Sequence, residues 1–287
     1  MIKNICFRGA GVKGIAYSGA ILELEKAGIL KNIEKVAGTS AGSIAACLVA
    51  LKFTAKEISD ITTACNFASF EDSCFMSDIE TLDKYGFYKG QKFLDWIGNI
   101  IFKRTNATYA TFKHFKDAGY IDLHIFATNL NTNSLTQFSF ETTPDVQVAD
   151  AIRCSMSIPG FFEAYKLNNQ IYVDGGVLYN YPLTCFDKKG INEETLGLYI
   201  GVTTDKGIDS GLDFGHPTKY AVALIETLLK AQDEDLYNSP EDMKRTVFIN
   251  PCNVSATNFK LTTEDKTNLF DAGRNAVIDF LKRTKLP

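Results

Sequence analysis

Two glycine-rich junctions lie within the first 45 residues, and each separates a predicted strand from a predicted helix. The first, GAGVKG at residues 9–14, follows a short apolar segment at residues 4–8. The second, GTSAG at residues 38–42, ends the segment IEKVAG and opens the apolar stretch AGSIAACLVALKF. Strands that alternate with helices favour a mostly parallel sheet covered by helices. The N-terminal region therefore predicts an α/β fold.

The rest of the chain continues this alternation. Residues 120–130 and 134–140 form a predicted strand pair around the turn sequence NTNS. Further strands are predicted at 170–176, 195–204 and 245–250, and further helices at 146–157, 216–236 and 262–285. We predict a three-layer α/β/α sandwich with a mostly parallel central sheet, built as one domain over residues 1–287. Residues 63–110 are rich in Phe, Tyr and Trp without strand alternation, and they predict an inserted helical cap.

Composition excludes several classes of partner and cofactor. The chain carries a net charge of −4 without a long basic run, which argues against nucleic-acid binding. It lacks the roughly 18 consecutive apolar residues of a membrane span. The seven cysteines include no CxxC pair, so we expect reduced thiols.

The sequence displays neither a signal-peptide pattern nor a metal-ligand cluster, so we predict a cytoplasmic location without metal or cofactor. Unconventional secretion would leave no such pattern.

Ser40 is the candidate nucleophile. A GxSxG sequence between a strand and a helix is typical of a sharp turn that exposes the serine hydroxyl. The amide after the serine and the start of the helix then favour negative charge nearby. The alternative is a simple helix N-cap, a position that Ser also prefers.

A serine nucleophile needs a base, and the sequence offers few histidines. His114 lies on a predicted helix and His124 within a predicted strand, where surface and structural roles are expected. His216 follows Ser40 and Asp174 in the chain order of an α/β-hydrolase triad. Such hydrolases place the nucleophile after several strands, whereas here it follows the second. Asp174, at the end of the strand QIYVDGG, is the better candidate, although Asp-Gly is also a common turn pair.

The loop at residues 9–14 is compatible with a phosphate cradle, an oxyanion hole or a tight turn. Its GxGxxG spacing after a strand matches the dinucleotide-binding fingerprint, which requires an acidic residue about 20 positions later. The next strand ends in Gly38-Thr39-Ser40, and Glu34 lies at its beginning instead. Nucleotide binding is therefore disfavoured.

Read together, three segments resemble the patatin-like phospholipase family, whose pattern combines a glycine-rich loop, GxSxG and DG[GA]. The likeness covers residues 3–52 and 120–204 as a whole. It includes the stretch around Asp174 at residues 154–183, with Pro159, Asn180 and Pro182. The motif residues here, besides Ser40 and Asp174, are Gly9, Ala10, Gly11, Lys13, Gly14, Gly38, Ala41, Gly42, Gly175 and Gly176.

The resemblance implies a Ser40–Asp174 catalytic dyad without histidine. It also implies an oxyanion hole formed by the amides of Gly9, Ala10 and Gly11, and we expect the Ala41 amide to assist. Ala10 replaces a glycine of the family pattern, a change that keeps the backbone N–H but narrows the conformations available to the loop. Lys13 matches the basic position of the family.

We expect a lipid acyl hydrolase that cleaves carboxylic ester bonds of phospholipids or related glycerolipids. The aromatic segment at 63–110 and the loop at 205–216 are candidates for an acyl groove or for peripheral membrane contact, and an activating protein partner is compatible with the sequence. Two alternatives stay open: an esterase with a Ser40-Asp174-His216 triad, and a lipid-binding pseudoenzyme.

Overall fold

The computed structural model describes residues 1–72, 86, 88–201 and 217–285. These residues form one eight-stranded sheet with helices on both faces. The strands are β1 (Asn4–Phe7), β2 (Lys35–Thr39), β3 (Asp122–Asn129), β4 (Ser134–Phe138), β5 (Tyr165–Leu167), β6 (Gln170–Asp174), β7 (Thr195–Ile200) and β8 (Thr246–Ile249). The α-helices are α1 (Ala16–Lys26), α2 (Ala41–Ala50), α3 (Ala55–Ala64), α4 (Gln91–Thr105), α5 (Phe112–Asp117), α6 (Val148–Ser155), α7 (Gly176–Tyr179), α8 (Pro217–Tyr237), α9 (Pro240–Lys244) and α10 (Thr263–Thr284).

The strand order is β5-β6-β3-β2-β1-β7-β8, with β4 paired to β3 beside this path. The five neighbouring strands β3, β2, β1, β7 and β8 are parallel. Strands β4 and β6 run antiparallel to β3, and β5 returns alongside β6. The predicted α/β fold with a mostly parallel centre is confirmed. The short strand β5 was not predicted.

Successive residues of the central strands face opposite layers. Ile5 and Phe7 of β1 belong to the large core beneath α1, α2 and α10. Cys6, between them, packs on the other face with Ala37, Phe126 and Phe186. Because both faces of the central sheet are buried, most residues of β1, β2 and β7 are buried on either side. This packing produces the predicted three layers.

Helices α1 and α10 cross with their backbones in contact. A Cβ added to Gly19 of α1 would overlap the carbonyl of Phe270, and one added to Gly273 of α10 would overlap the carbonyl of Ala16. Upstream of α10, the carbonyl of Ala256 accepts a hydrogen bond from the Val12 amide at 2.9 Å. The C-terminal segment therefore packs directly against the glycine-rich loop.

The predicted cap segment is described except for residues 73–85 and 87. It contains α4 and a short 3₁₀ turn, and the ring of Phe70 lies 5.4 Å from those of both Phe93 and Trp96. Phe70 and Phe93 are buried and contribute to the core, whereas Phe102 and Tyr109 of the same segment are exposed. The assignment of this segment as a cap, and of the chain as one domain, stays a prediction. Within the described ranges, every helix is too short or too polar to cross a bilayer.

Candidate active site

Ser40 occupies a strained turn between β2 and α2. Its backbone has a φ of 53° and a ψ of −130°, a combination that residues with a side chain rarely adopt. The turn is tight because two glycines allow close backbone contact. A Cβ on Gly38 would overlap the carbonyl of Gly42, and one on Gly42 would overlap the carbonyl of Phe7. The predicted strand, turn and helix around Ser40 are therefore all present.

Strands β2 and β6 meet end to end along β3. Thr39, the last residue of β2, pairs with Phe126, and Asp174, the last residue of β6, pairs with Ala127. The two strand ends therefore face each other across one step of β3. As a result, the Oγ of Ser40 donates a hydrogen bond of 2.6 Å to Oδ2 of Asp174.

The Asp174 carboxyl is shielded from solvent, and only 4% of the residue is exposed. Burial raises its pKa to about 7, although hydrogen bonds from Ser40 and from the Gly176 amide to the carboxylate act in the opposite direction. A buried carboxylate of this kind is a stronger base than an exposed aspartate. It is also half ionised near neutral pH, which suits a general base.

Two other serines hold the backbone of Ser40. The Ser40 amide donates to Oγ of Ser155 at 2.8 Å, and that hydroxyl donates to the carbonyl of Phe126 at 2.6 Å. The hydroxyl of Ser43 donates to the Ser40 carbonyl at 2.6 Å. These contacts satisfy both backbone groups of the strained residue, so its conformation is fixed from both sides.

The amides of the glycine-rich loop differ in their partners. The Gly9 amide donates to the carbonyl of Asn180 at 2.9 Å. Among the described residues, no acceptor engages the amides of Ala10, Gly11 or Ala41, the last two lying at the first position of a helical segment. The Gly9 N–H is therefore already bound in this structure, whereas the other three amides meet no described acceptor. The assignment of the oxyanion donors stays a prediction.

The remaining motif glycines permit close contacts around the two side chains. A Cβ on Gly9 would lie 3.0 Å from that of Ser40, and one on Gly14 would lie 3.2 Å from that of Ala41. A Cβ on Gly176 would lie 2.9 Å from Oδ1 of Asp174. Any side chain at these positions would displace the loop or the carboxylate.

Gly175 and Lys13 complete the motif residues. A Cβ on Gly175 would overlap the carbonyl of Phe126, so the backbone must pass close to β3 there. Lys13 lies half-buried in the 3₁₀ turn Gly11–Ile15. Its role as the basic residue of the loop stays a prediction.

Among the described residues, no imidazole hydrogen-bonds Ser40 or Asp174. His114 lies on α5, and His124 is buried on β3, where its ring is 3.2 Å from Asp122 and 2.9 Å from Gln137. His124 occupies the structural position predicted for it, whereas His114, predicted at the surface, is half-buried. His216, the histidine of the triad alternative, lies outside the described residues. The same ranges contain no group of three His, Cys, Asp or Glu side chains arranged to hold a metal ion.

A narrow apolar pocket begins beside the candidate oxyanion amides. It runs from Gly11 and Ala41 between α1 and α2 toward α3 and α4. Its other lining residues are Val12, Gly14, Ile15, Tyr17, Ser18, Ile21, Ile44, Ala45, Leu48, Ile58, Thr62, Phe67 and Trp96. The cavity has a volume of about 40 Å³, which leaves room for a small apolar group rather than for a whole acyl chain.

Several residues around the site were not predicted from the sequence. Arg8 is a charged residue next to an apolar strand segment, which is a recognisable signal for a buried, paired arginine. Ser155 lies in the predicted helix near Met156, without a pattern that distinguishes it from other serines. Gln232 and Asp233 lie in the polar run AQDED, which is typical of an exposed helix face.

A family model for patatin-like phospholipases matches residues 5–187. The chain belongs to the patatin-like phospholipase family. Membership of this family confirms the resemblance identified from the three motifs. It also confirms the predicted class of enzyme, a serine-dependent lipid hydrolase.

Relatives of this patatin-like protein include both uncharacterised proteins and named lipid hydrolases. YqhO of Bacillus subtilis is 31% identical over 303 residues, covering 96% of this chain and 97% of YqhO. The probable lipid hydrolase 463L of Invertebrate iridescent virus 6 is 28% identical over 184 residues. This alignment covers 63% of this chain and 62% of 463L.

Solved structures confirm the patatin-like fold. VipD from Legionella pneumophila superposes with a TM-score of 0.65 at 17% identity, covering 98% of this chain and 67% of VipD. ExoU in its complex with SpcU from Pseudomonas aeruginosa gives a TM-score of 0.55 at 19% identity, covering 98% of this chain and 51% of ExoU.

Proposed function

We propose that this protein hydrolyses carboxylic ester bonds of phospholipids or related glycerolipids through a Ser40–Asp174 dyad. The observation that carries the proposal is the 2.6 Å hydrogen bond between the hydroxyl of Ser40 and the buried carboxylate of Asp174. It supports direct proton transfer without an intervening histidine.

In the first half of the reaction, Oγ of Ser40 attacks the acyl carbonyl while Asp174 takes the hydroxyl proton. The carbonyl oxygen becomes an oxyanion, which the amides of Ala10, Gly11 and Ala41 stabilise. When the intermediate collapses, the bond to the alcohol breaks, and Asp174 returns the proton to the departing oxygen.

In the second half, water hydrolyses the acyl-serine. Asp174 accepts a proton from the water as its oxygen bonds to the acyl carbon, and the same amides hold the second oxyanion. Collapse releases the fatty acid and returns the proton to the Oγ of Ser40. Both halves use the same base and the same donors, so no further group is required.

The pocket between α1 and α2 supports a substrate with an apolar group, such as the first carbons of an acyl chain, next to the reacting carbonyl. It is lined almost entirely by apolar side chains and begins at the amides of Gly11 and Ala41. The exposed Leu178 lies four residues after Asp174, and Leu224 and Leu228 are exposed on α8. These leucines support peripheral contact with a lipid surface near the site.

The test compares the wild type with Ser40→Ala and Asp174→Asn on p-nitrophenyl butyrate and on phosphatidylcholine vesicles. We expect either substitution to lower kcat by at least about a thousandfold, as in other hydrolases that lose a member of the catalytic unit. If His216→Ala is inactive as well as Asp174→Asn, the triad replaces the dyad. An active Asp174→Asn enzyme would refute both assignments, because Asp174 belongs to each. A wild type that neither hydrolyses these esters nor reacts with a fluorophosphonate at Ser40 would be a lipid-binding pseudoenzyme.

A further inference from the structure

Arg8 directly precedes the glycine-rich loop, and its guanidinium is buried. Its side chain is 9% exposed, and its Nη2 lies 2.9 and 2.8 Å from the two carboxylate oxygens of Asp233. Asp233 belongs to α8, beyond the segment 5–187 that the family model matches. The ion pair therefore joins the start of the loop to a helix that the family pattern does not include.

The same guanidinium contacts the loop itself. Nη1 of Arg8 donates to the Gly9 carbonyl at 3.2 Å and to the Ile200 carbonyl at 3.3 Å. The ring of Tyr199 packs against it, with the ring centroid 4.5 Å from Cζ. With the Asn180 amide oxygen oriented toward Arg8, that oxygen lies 3.3 Å from both Nε and Nη2. Contacts on several sides thus fix the position of the guanidinium.

The bond to the Gly9 carbonyl determines where the next amide points. In a trans peptide the C=O and the N–H point in opposite directions. Because the Gly9 carbonyl faces Arg8, the Ala10 N–H faces away from the guanidinium, and no described residue accepts from it. Rotation of this peptide would replace the donor by a carbonyl oxygen, whose partial negative charge would repel an oxyanion.

We propose that Arg8 and Asp233 are positioning residues that hold the Gly9–Ala10 peptide in the orientation required for oxyanion stabilisation. The inference rests on the proposed function, in which the Ala10 amide is one of the donors. It adds that helix α8 is part of the catalytic framework, although neither side chain touches the reacting atoms.

The neighbouring residue of α8 holds the other side of the site. Nε2 of Gln232 donates to the carbonyls of Gly176 at 2.9 Å and Val177 at 3.2 Å, and Oε1 accepts from the Asn180 amide at 2.8 Å. Gly176 in turn donates to the Asp174 carboxylate. Of two consecutive residues of α8, Asp233 therefore pairs with the arginine that precedes the oxyanion loop, and Gln232 contacts the helix α7 that follows the base.

Arg245 provides a matched control for the loss of a buried ion pair. Like Arg8, it is 7% exposed as a whole residue, and it pairs with Asp187 and Asp242. It precedes β8, the strand at the far end of the sheet from β5 and β6. Among the described residues, the hydrogen-bond partners of its side chain are Asp187, Asn192 and Asp242, and none belongs to the glycine-rich loop. Substitution of Arg245 thus tests stability without altering the loop.

The experiment measures kcat and KM on p-nitrophenyl butyrate, and thermal unfolding, for Arg8→Lys, Asp233→Asn and the controls Arg245→Lys and Asp187→Asn. We expect Arg8→Lys to lower kcat about 100-fold, the effect of losing one oxyanion donor, with KM nearly unchanged. Arg245→Lys should lower the unfolding midpoint by a similar amount and leave kcat within about twofold, since it removes no transition-state contact. If Arg8→Lys and Asp233→Asn reduce kcat no more than the two controls do, the proposal is overturned. Asp233→Asn retains the size of the side chain and is the second variant if Arg8→Lys does not fold.

A second measurement does not depend on hydrolysis. Hydrogen exchange followed by NMR measures how well the Gly9 and Val12 amides are protected by their hydrogen bonds. The Gly9 amide is bound to the carbonyl of Asn180 and the Val12 amide to that of Ala256. We expect both to exchange at least tenfold faster in Arg8→Lys than in Arg245→Lys. Unchanged exchange contradicts the positioning role even if the wild type proves inactive. An inactive wild type with faster exchange refutes the proposed function alone.

Discussion

Thr39 and Asp174 pair with adjacent residues of β3, Phe126 and Ala127. This register brings the end of β2, which is parallel to β3, next to the end of β6, which is antiparallel to β3. The distance between the Ser40 hydroxyl and the Asp174 carboxylate is therefore determined by backbone pairing rather than by flexible side chains. A site built in this way is preorganised before substrate binds.

The pH dependence of hydrolysis should follow Asp174. Because the pKa of its carboxyl is raised to about 7, kcat/KM should rise about tenfold per pH unit below neutrality and become constant above it. Initial rates on p-nitrophenyl butyrate between pH 5 and 9 check this, with circular dichroism at each pH as the control for folding. A plateau that already begins near pH 5 would contradict it.

Asp174→Asn should stabilise the fold at high pH. The carboxyl has a pKa of about 7 in the folded state against 3.8 as its ordinary value, so the folded protein binds this proton more tightly than the unfolded chain. Stability is therefore lost as pH rises from about 4 to 7, by up to about 4 kcal/mol. The neutral Asn lacks this penalty.

Urea unfolding at pH 4.5 and pH 8 measures the difference. We expect Asp174→Asn to be more stable than the wild type at pH 8 and nearly equal to it at pH 4.5. Asp60→Asn, on an exposed side chain of α3, serves as the baseline. Equal effects of Asp174→Asn at the two pH values would refute the prediction.

Ser155→Ala should lower activity more than it lowers stability. The substitution removes the hydroxyl that bridges the Ser40 amide and the Phe126 carbonyl, so the buried Ser40 amide loses its acceptor. A buried backbone group left unpaired in this way destabilises the fold by about 1–3 kcal/mol. Release of the strained Ser40 turn should reduce kcat at least about tenfold, because small displacements of a nucleophile have large effects on rate.

The matched control is Ser139→Ala, which removes another fully buried hydroxyl, one that contacts Thr142. Both variants should lower the unfolding midpoint in differential scanning fluorimetry. Only Ser155→Ala should lower kcat for p-nitrophenyl butyrate. A Ser155→Ala enzyme with wild-type kcat would mean that the turn needs no such support.

Ala45→Leu should change the preference for acyl-chain length. Ala45 lines the apolar pocket on α2, one turn after Ala41, so a larger side chain there would shorten the space available to an acyl chain. We expect the ratio of kcat/KM for p-nitrophenyl palmitate to that for the butyrate to fall about tenfold, as one or two lost methylene contacts imply. The butyrate is the internal control, and an unchanged ratio would assign the chain to another surface.

Much of the fold was predictable because its signals are local. The glycines at 38 and 42 predicted the turn at Ser40. Thr54 followed three residues later by Glu57 is a capping-box pattern in the sequence, and the structure contains this box at the start of α3. The strand β5 was missed because its three residues are too few for a periodic pattern. The sequence signal for this hairpin was the pair Asn168-Asn169, which forms the turn between β5 and β6 with both residues at positive φ.

The candidate site was predictable in its motif residues and not in their supports. Ser40 and Asp174 lie at strand ends that a sequence reading can place. Arg8 and Asp233 lie 225 residues apart, and their contact depends on the packing of α8 against the sheet. The partner of the Gly9 amide was equally hidden, because no local pattern tells which carbonyl a loop amide will meet.

The close contact between α1 and α10 at Gly19 and Gly273 has a consequence for biosynthesis. Helix α1 follows the glycine-rich loop, yet its packing partner α10 is translated last among the described helices. While the nascent chain is still on the ribosome, the region around Ser40 lacks this support. We therefore expect esterase activity to appear only after α10 has left the exit tunnel, so that incomplete chains cannot attack cellular lipids.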